Sequence, residues 1–451
     1  MSNRYTYSDP LLSLWQSAVA EVHRKRASQR KAGMLAALKP LTTPDDMLAP
    51  ARLLGEQIRE KGPTAPEQLF APSLKGALTA VAGTAEDCAK LAAKFLWAEM
   101  KGDHAASDLL AGELKASVCD DLGWSEVLTT YLAFKASLQS LPYRDGLNPV
   151  FDLGQSTKLA ILGDWGTGDA PAVGVLQQVA ALQPDIVLHL GDVYFAGTQN
   201  EQRSNFLDIC HQVLSNNVRV FSLCGNHDMY SGGNGYYWLV DQLGQQASYF
   251  CLQNASWQFL AMDTGHNDNN PITVNSNMTS LNDHEAAWLL SKIPQSGTPR
   301  TVLLSHHQLF SPFSSVGKVN GTPFAYNPNL LTNFQSVMQK IVLWFWGHEH
   351  TLAIYDPYMG LQRGRCVGAS AVPVLTDQQS YKPGTGLTTF QNTGLATWAA
   401  QGILGDNGTD YDHCFAFMTL NGTAAQVDYY RVPVLGAKLK LAVGDQIPGL
   451  P

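Results

Sequence analysis

Three aspartates, an asparagine and five histidines stand in five short clusters, each directly after an apolar run: Gly163-Asp164-Trp165-Gly166, Gly191-Asp192, Gly225-Asn226-His227-Asp228, Ser305-His306-His307 and Gly347-His348-Glu349-His350. Carboxylate and amide oxygens together with imidazole nitrogens make a donor set suited to borderline or hard cations such as manganese, iron or zinc. Two such cations about 3.5–4 Å apart clamp an in-line displacement at phosphorus, and bound water falls in pKa from about 15.7 towards about 7. A shared aspartate holds such a pair together. Each cluster alone reads as a turn after a strand. Five in order make a common site the better account.

The apolar runs must bring these clusters together. Residues 159–162, 186–190 and 218–224 have strand length and β-branched content, and amphipathic stretches at 171–182 and 201–214 separate them. That is the alternation of a parallel α/β sheet. Ligands in such sheets sit beyond the carboxyl ends of the strands, so the first three clusters share one rim. A hairpin of 249–252 and 257–262 opens a second sheet, and strands at 300–305 and 341–346 end in the last two clusters. Asn282 and Glu285 have capping-box spacing at the start of a helix that Pro294 ends. Antiparallel strands at 365–368, 414–420 and 426–431 follow. The Gly-, Thr-, Asn- and Gln-rich stretch 376–412 reads as a long insertion of the kind that forms lids.

Residues 1–150 have a different texture. Helical periodicity runs from Leu11 to Val22 and returns at 78–100 and 105–141, with 141–149 as a linker. This segment carries no catalytic cluster and reads as a helical cap or interaction domain, through which a protein partner or self-association would act, ahead of a catalytic domain at 151–451. Its basic run His23-Arg24-Lys25-Arg26 reads as a solvated helix end. A length of 451 residues accommodates two domains. The net charge of -8 and the lack of a dense basic face argue against nucleic acid and acidic membranes. The start lacks the regions of a signal peptide and no apolar run reaches bilayer length, which predicts a cytoplasmic protein without membrane insertion. Seven scattered cysteines without a Cys-x-x-Cys pair read as buried thiols.

In order and spacing the five clusters resemble the blocks of calcineurin-like metallophosphoesterases, over roughly Lys158 to Arg431. The likeness is greatest to the purple acid phosphatase branch, because Gly166 stands where other branches carry a histidine ligand. The resemblance implies an α/β fold, a four-layer αββα sandwich, here preceded by the all-helical domain. It implies two metal ions bridged by Asp192, with Asp164 and His350 on one and Asn226, His306 and His348 on the other. A hydroxide between the metals would be the nucleophile, with no covalent phosphoenzyme. His227 would steady the phosphate and protonate the leaving alkoxide, with Asp228 orienting its ring. His307 is either a substrate contact or a helper that hydrogen-bonds the rim.

One position departs from that pattern. Purple acid phosphatases place a tyrosine ligand three residues after the bridging aspartate, where this chain has Phe195. Tyr194, one place earlier, substitutes only if the chain has left strand geometry by then. The departure predicts three protein ligands at the Asp164 and His350 site, poor retention of ferric iron and no purple colour. Elsewhere, His189 reads as a core residue, Asp263 as a turn residue, and nothing in the spacing of His266 or His413 brings them to the site. The leading activity is hydrolysis of a small-molecule phosphomonoester. A phosphodiesterase acting on cyclic nucleotides or lipid head groups would use the same clamp. From another class, a non-catalytic scaffold would keep a vestigial core, against which stands the presence of all six ligand candidates.

Overall fold

The computed structural model describes residues 10–31, 91–92, 94–95, 98, 103–116 and 141–450, apart from 272, 296 and 435–438. The chain divides into two compact units, Met1–Ser140 and Leu141–Pro451. In the first, α1 (Pro10–Lys31) buries Leu14, Ala18, Val19 and Val22, the helical stripe expected of it, and α2 (His104–Ala116) buries Leu114. Within the basic run, Arg24 bonds Glu21 one turn earlier. The periodic stretches at 78–90 and 117–140 lie outside the described residues. No helix among the described residues is long and apolar enough to cross a membrane.

The second unit is built on two facing sheets. Its strands are β1 (Val150–Asp152), β2 (Lys158–Leu162), β3 (Ile186–His189), β4 (Arg219–Ser222), β5 (Phe250–Gln253), β6 (Trp257–Ala261), β7 (Arg300–Ser305), β8 (Gly317–Val319), β9 (Thr322–Phe324), β10 (Ile341–Trp346), β11 (Leu352–Ile354), β12 (Gly364–Val367), β13 (His413–Asn421), β14 (Ala424–Val432) and β15 (Lys440–Ile447). One sheet has the order β1-β5-β6-β7-β10-β12-β11, the other β15-β14-β13-β2-β3-β4, and β8 and β9 form a hairpin apart. The neighbours β2-β3-β4 are parallel, as are β6-β7-β10.

Strand alternation sorts the side chains into layers. Leu159, Ile161, Leu188, Phe259, Leu304, Phe345, Met418 and Val427 fill the space between the sheets. Ala160, Leu162, Val187, Phe415 and Phe417 face outward onto α3 (Ala170–Ala181) and α4 (Asp208–Val213). On the opposite side Leu260, Leu303, Trp344 and Trp346 face α5 (Asp283–Lys292) and α6 (Pro328–Phe334). The fold is therefore a four-layer αββα sandwich. Strands buried on both faces explain the unbroken apolar runs.

Three details differ from the sequence reading. The supposed linker is bonded into the second unit: Tyr143 donates to Glu285 at 2.6 Å, Arg144 to Asp241 at 2.6 Å, and Cys251 N to Pro149 O at 2.9 Å. Asn282 does cap α5, but Glu285 turns inward to accept from Tyr143 and from Asp263 N instead of closing a capping box. The loop 376–412 is fastened to the β8–β9 hairpin through paired bonds between Thr388 and residues Pro323 and Ala325, and to β11 through Ala399 N and the Tyr381 hydroxyl. These contacts make it a brace along the sheet edge.

Candidate metal centre

The carboxyl ends of β2, β3, β4, β7 and β10 all deliver their clusters to one rim. The turns that do so are tight. Gly191 has φ 103, and Asp164, Asp192 and His348 hold φ of 56, 72 and 62, a region that costs a non-glycine residue of order 1–3 kcal/mol. Local bonds hold them there: His348 N donates to Asp164 Oδ2 at 2.8 Å, and Asp192 N to Asp228 Oδ2 at 3.0 Å. Gly225 must stay glycine, because a Cβ there would lie 2.1 Å from Asp192 Oδ1.

The side chains gather in two groups. In one, His306 Nε2 lies 3.0 Å from Asn226 Oδ1 and 3.2 Å from His348 Nδ1, which is itself 3.0 Å from Asn226 Oδ1. In the other, the Tyr194 hydroxyl is 3.1 Å from Asp164 Oδ1 and 3.1 Å from His350 Nε2, with His350 Nε2 3.4 Å from Asp164 Oδ1. Between them, Asp192 Oδ2 is 3.5 Å from His306 Nε2, and donor atoms of Asp164, Asp192 and His306 all lie within 4.8 Å of one another. All six sequence-derived ligand candidates are therefore brought together.

The chemistry of the first group fits a cation. His306 Nδ1 is 2.9 Å from Leu190 O and serves as its donor, so Nε2 keeps its lone pair. Asn226 Nδ2 donates to the Tyr230 hydroxyl at 2.5 Å, which turns Oδ1 inward. Three acceptor atoms in mutual contact thus share at most one proton. Burial, then the neighbouring histidines, hold the His306 and His348 rings well below the usual imidazole range, which favours the neutral form a cation requires. Burial and the adjacent Asp164 and Asp228 push the Asp192 carboxyl up, a charge imbalance that a cation reverses.

The Tyr194 hydroxyl joins this second group from one place before Phe195, the position at which the resemblance expects a ligand and the sequence offers none. Strand β3 ends at His189, and the left-handed Gly191 and Asp192 end the alternation on which the expectation of a missing ligand rested. The signal in the sequence was the Tyr-Phe pair itself. Tyr230 and Gln202, which fix Asn226 and Asp228, carried no signal.

Asp228 is also corrected. Its carboxylate accepts from Gly225 N (2.8 Å), Asp192 N (3.0 Å), Val193 N (3.2 Å) and Gln202 Nε2 (2.7 Å), and burial pushes it up to about 6 against these donors. It clasps two rim loops and does not orient His227. That ring is held by Phe195 O, 2.8 Å from Nδ1, between Tyr194 and Tyr230 at 4.6 and 4.7 Å. Its Nε2 lies 3.9 Å from Asp192 Oδ2, and burial pulls the ring down to about 3.

Of the remaining candidates, His307 packs against His348 of the first group, with ring centroids 4.4 Å apart. His307 uses both ring nitrogens on Thr264 and Asp268, at 2.9 and 3.0 Å, which leaves neither for a substrate. Glu349 points to Ser311 and Ser314. His189 bonds Ser222 within the core, His266 packs on Tyr143, His413 is buried in β13, and Asp263 accepts from His266 N as a turn residue does.

A family model described as calcineurin-like phosphoesterase matches residues 157–352. No curated protein matches the chain. Among solved structures it is similar to a purple acid phosphatase from yellow lupin (Lupinus luteus) seeds, at 15% identity and TM-score 0.41 over 61% of this chain and 51% of that one. The chain thus spans about half the length of the lupin protein. It is similar also to a dimetal phosphatase from Danio rerio, at 13% identity and TM-score 0.40 over 65% and 99%. A single mutant of Vps29 from Entamoeba histolytica matches at 12% identity and TM-score 0.30 over 64% and 99%.

Proposed function

We propose, from the premise that residues 157–352 form a calcineurin-like phosphoesterase domain, that the chain is a two-metal phosphoric ester hydrolase acting on small phosphomonoesters. The observation that carries the reading is the division of six donors into two groups of three with Asp192 between them. Asn226, His306 and His348 would hold one ion, Asp164, Tyr194 and His350 the other, and Asp192 would touch both. Manganese, iron and zinc suit this mixture of oxygen and nitrogen. Bound there, the pair would supply an activated water and neutralise charge developing at phosphorus.

The chain's own residues do the rest. His227 presents Nε2 to the rim while Phe195 O fixes its tautomer, the arrangement of a group that meets the ester and hands a proton to its leaving oxygen. In the free chain the ring is neutral, so the negative charge of the bound ester must raise its proton affinity. Asp228 keeps the Asp192 and Gly225 loops in register so that these atoms face one another.

The test is hydrolysis of a panel of phosphomonoesters and phosphodiesters by the chain reconstituted with manganese, iron or zinc, beside Asp192→Asn. Monoester turnover lost in the variant supports the reading. Diester turnover alone would move the substrate class to diesters, and a metal-free, inactive wild type would favour a scaffold.

A further inference from the structure

Behind the first donor group lies a buried unit that the chemistry above does not use. The His307 ring rests against His348 with centroids 4.4 Å apart and planes at 38°, and meets His306 edge-on at 4.8 Å and 87°. It packs as a wedge against both imidazoles, whose own centroids stand 5.1 Å apart with planes at 75°.

The wedge is locked by its own bonds. Asp268 Oδ2, an acceptor, lies 3.0 Å from His307 Nε2, so that nitrogen carries the proton. Thr264 Oγ1 accepts the His307 backbone N–H at 3.0 Å and turns its hydroxyl to Nδ1 at 2.9 Å. Asp268 in turn accepts from Asn277 Nδ2 at 2.7 Å, and the Asn277 carbonyl lies so close to Gly317 of β8 that a Cβ there would approach it to 2.3 Å. Both Asp268 and His307 are buried, at 3% and 5% exposure.

We propose that His307 and Asp268 are positioning residues, which set the planes of His306 and His348 and thereby the affinity of the Asn226, His306 and His348 group for its ion. The inference rests on the metal-site reading above. A carboxylate that orients a histidine ligand through its second nitrogen is a common arrangement, with losses of 10–100-fold on its removal. Here the carboxylate acts one ring further out: it orients His307, and the flat face of His307 orients the ligand.

Two substitutions separate its parts. His307→Gln keeps donors and acceptors for Asp268 and Thr264 but removes the flat ring, whereas Asp268→Asn keeps the ring and removes the charge that holds it. Manganese binding to the folded proteins, measured by calorimetry, is expected to weaken about 10- to 100-fold in each. The double variant should lose no more than the worse single one, since Asp268 acts through His307. Excess manganese should restore kcat with KM unchanged.

Unchanged manganese affinity in folded variants, including variants with a lowered melting temperature, would overturn the proposal. So would a raised KM at saturating manganese, the mark of a substrate contact. Failure of the wild type to bind manganese, iron or zinc would instead overturn the metal-site reading itself. Should His307→Gln not fold, Asp268→Asn decides alone.

Discussion

The hydroxyl of Tyr194 lies 3.1 Å from Nε2 of His350, at the place where a chain carrying Phe195 was expected to offer nothing. Burial, then Asp164 and Asp192, push this phenol well above its ordinary range, so it stays protonated until a cation displaces the proton. Iron-loaded protein is therefore expected to show an intense visible phenolate band. Tyr194→Phe should abolish the band and Phe195→Leu should keep it, checked by absorbance of the two loaded variants.

His227 is expected to matter in proportion to the basicity of the leaving group. His227→Gln should lower kcat by about 10²-fold or more for an alkyl phosphate, the scale of general acid catalysis. Loss should be far smaller for 4-nitrophenyl phosphate, whose leaving group needs no proton. Equal losses on both substrates would mean that the ring binds phosphate without donating.

Buried neutral histidines should make acid destabilise the fold, against the opposing contribution of Asp228, whose carboxyl is pushed up to about 6 and so adds stability as pH falls through that value. Burial pulls His189 down to about 3 and His413 to about 4. Below about pH 6.5 the unfolded chain takes up protons that the folded chain refuses, so stability falls with pH until the folded values are reached. The slope approaches roughly 1.4 kcal/mol per pH unit for each such histidine. Urea unfolding between pH 7 and 4 checks this, and His189→Leu should flatten the slope by up to one histidine.

Arg365 crosses from one sheet to the other. It donates to Asp445 Oδ2 at 2.7 Å and to the Tyr429 hydroxyl at 3.1 Å, and to Tyr355 O just past β11 at 2.9 Å. Asp445→Ala leaves a buried guanidinium without its counter-charge, and should cost about 3 kcal/mol in denaturant unfolding. Arg431→Ala, whose guanidinium bonds Gln401 O at an exposed site, should cost well under 1 kcal/mol.

The two-sheet frame and six of the rim residues were legible because strands buried on both faces write continuous apolar runs that end in Gly-Asp, Gly-Asn-His or Gly-His. Tyr194 was not, since alternation holds only inside a strand and β3 stops at His189. Asp228 was read as the partner of its sequence neighbour His227, whereas its charge is spent on backbone donors from residues 192, 193 and 225, a contact of loops that sequence order hides. Glu285 lost its capping role to Tyr143, 142 residues away. The edge strands β1 and β15 escaped notice because one has three residues and the other mixes Lys440, Gly444 and Asp445 into its pattern. Capping, pairing and clasping of this kind are decided by the fold once formed.

The central claim is that Asp192 stands between two bound cations. Anomalous scattering from a crystal grown with manganese tests it most directly. Two peaks about 3.5–4 Å apart are expected, one among Asn226, His306 and His348 and one among Asp164, Tyr194 and His350, with Asp192 touching both. A rim without peaks at saturating manganese, or a single ion that Asp192 does not touch, would contradict the account.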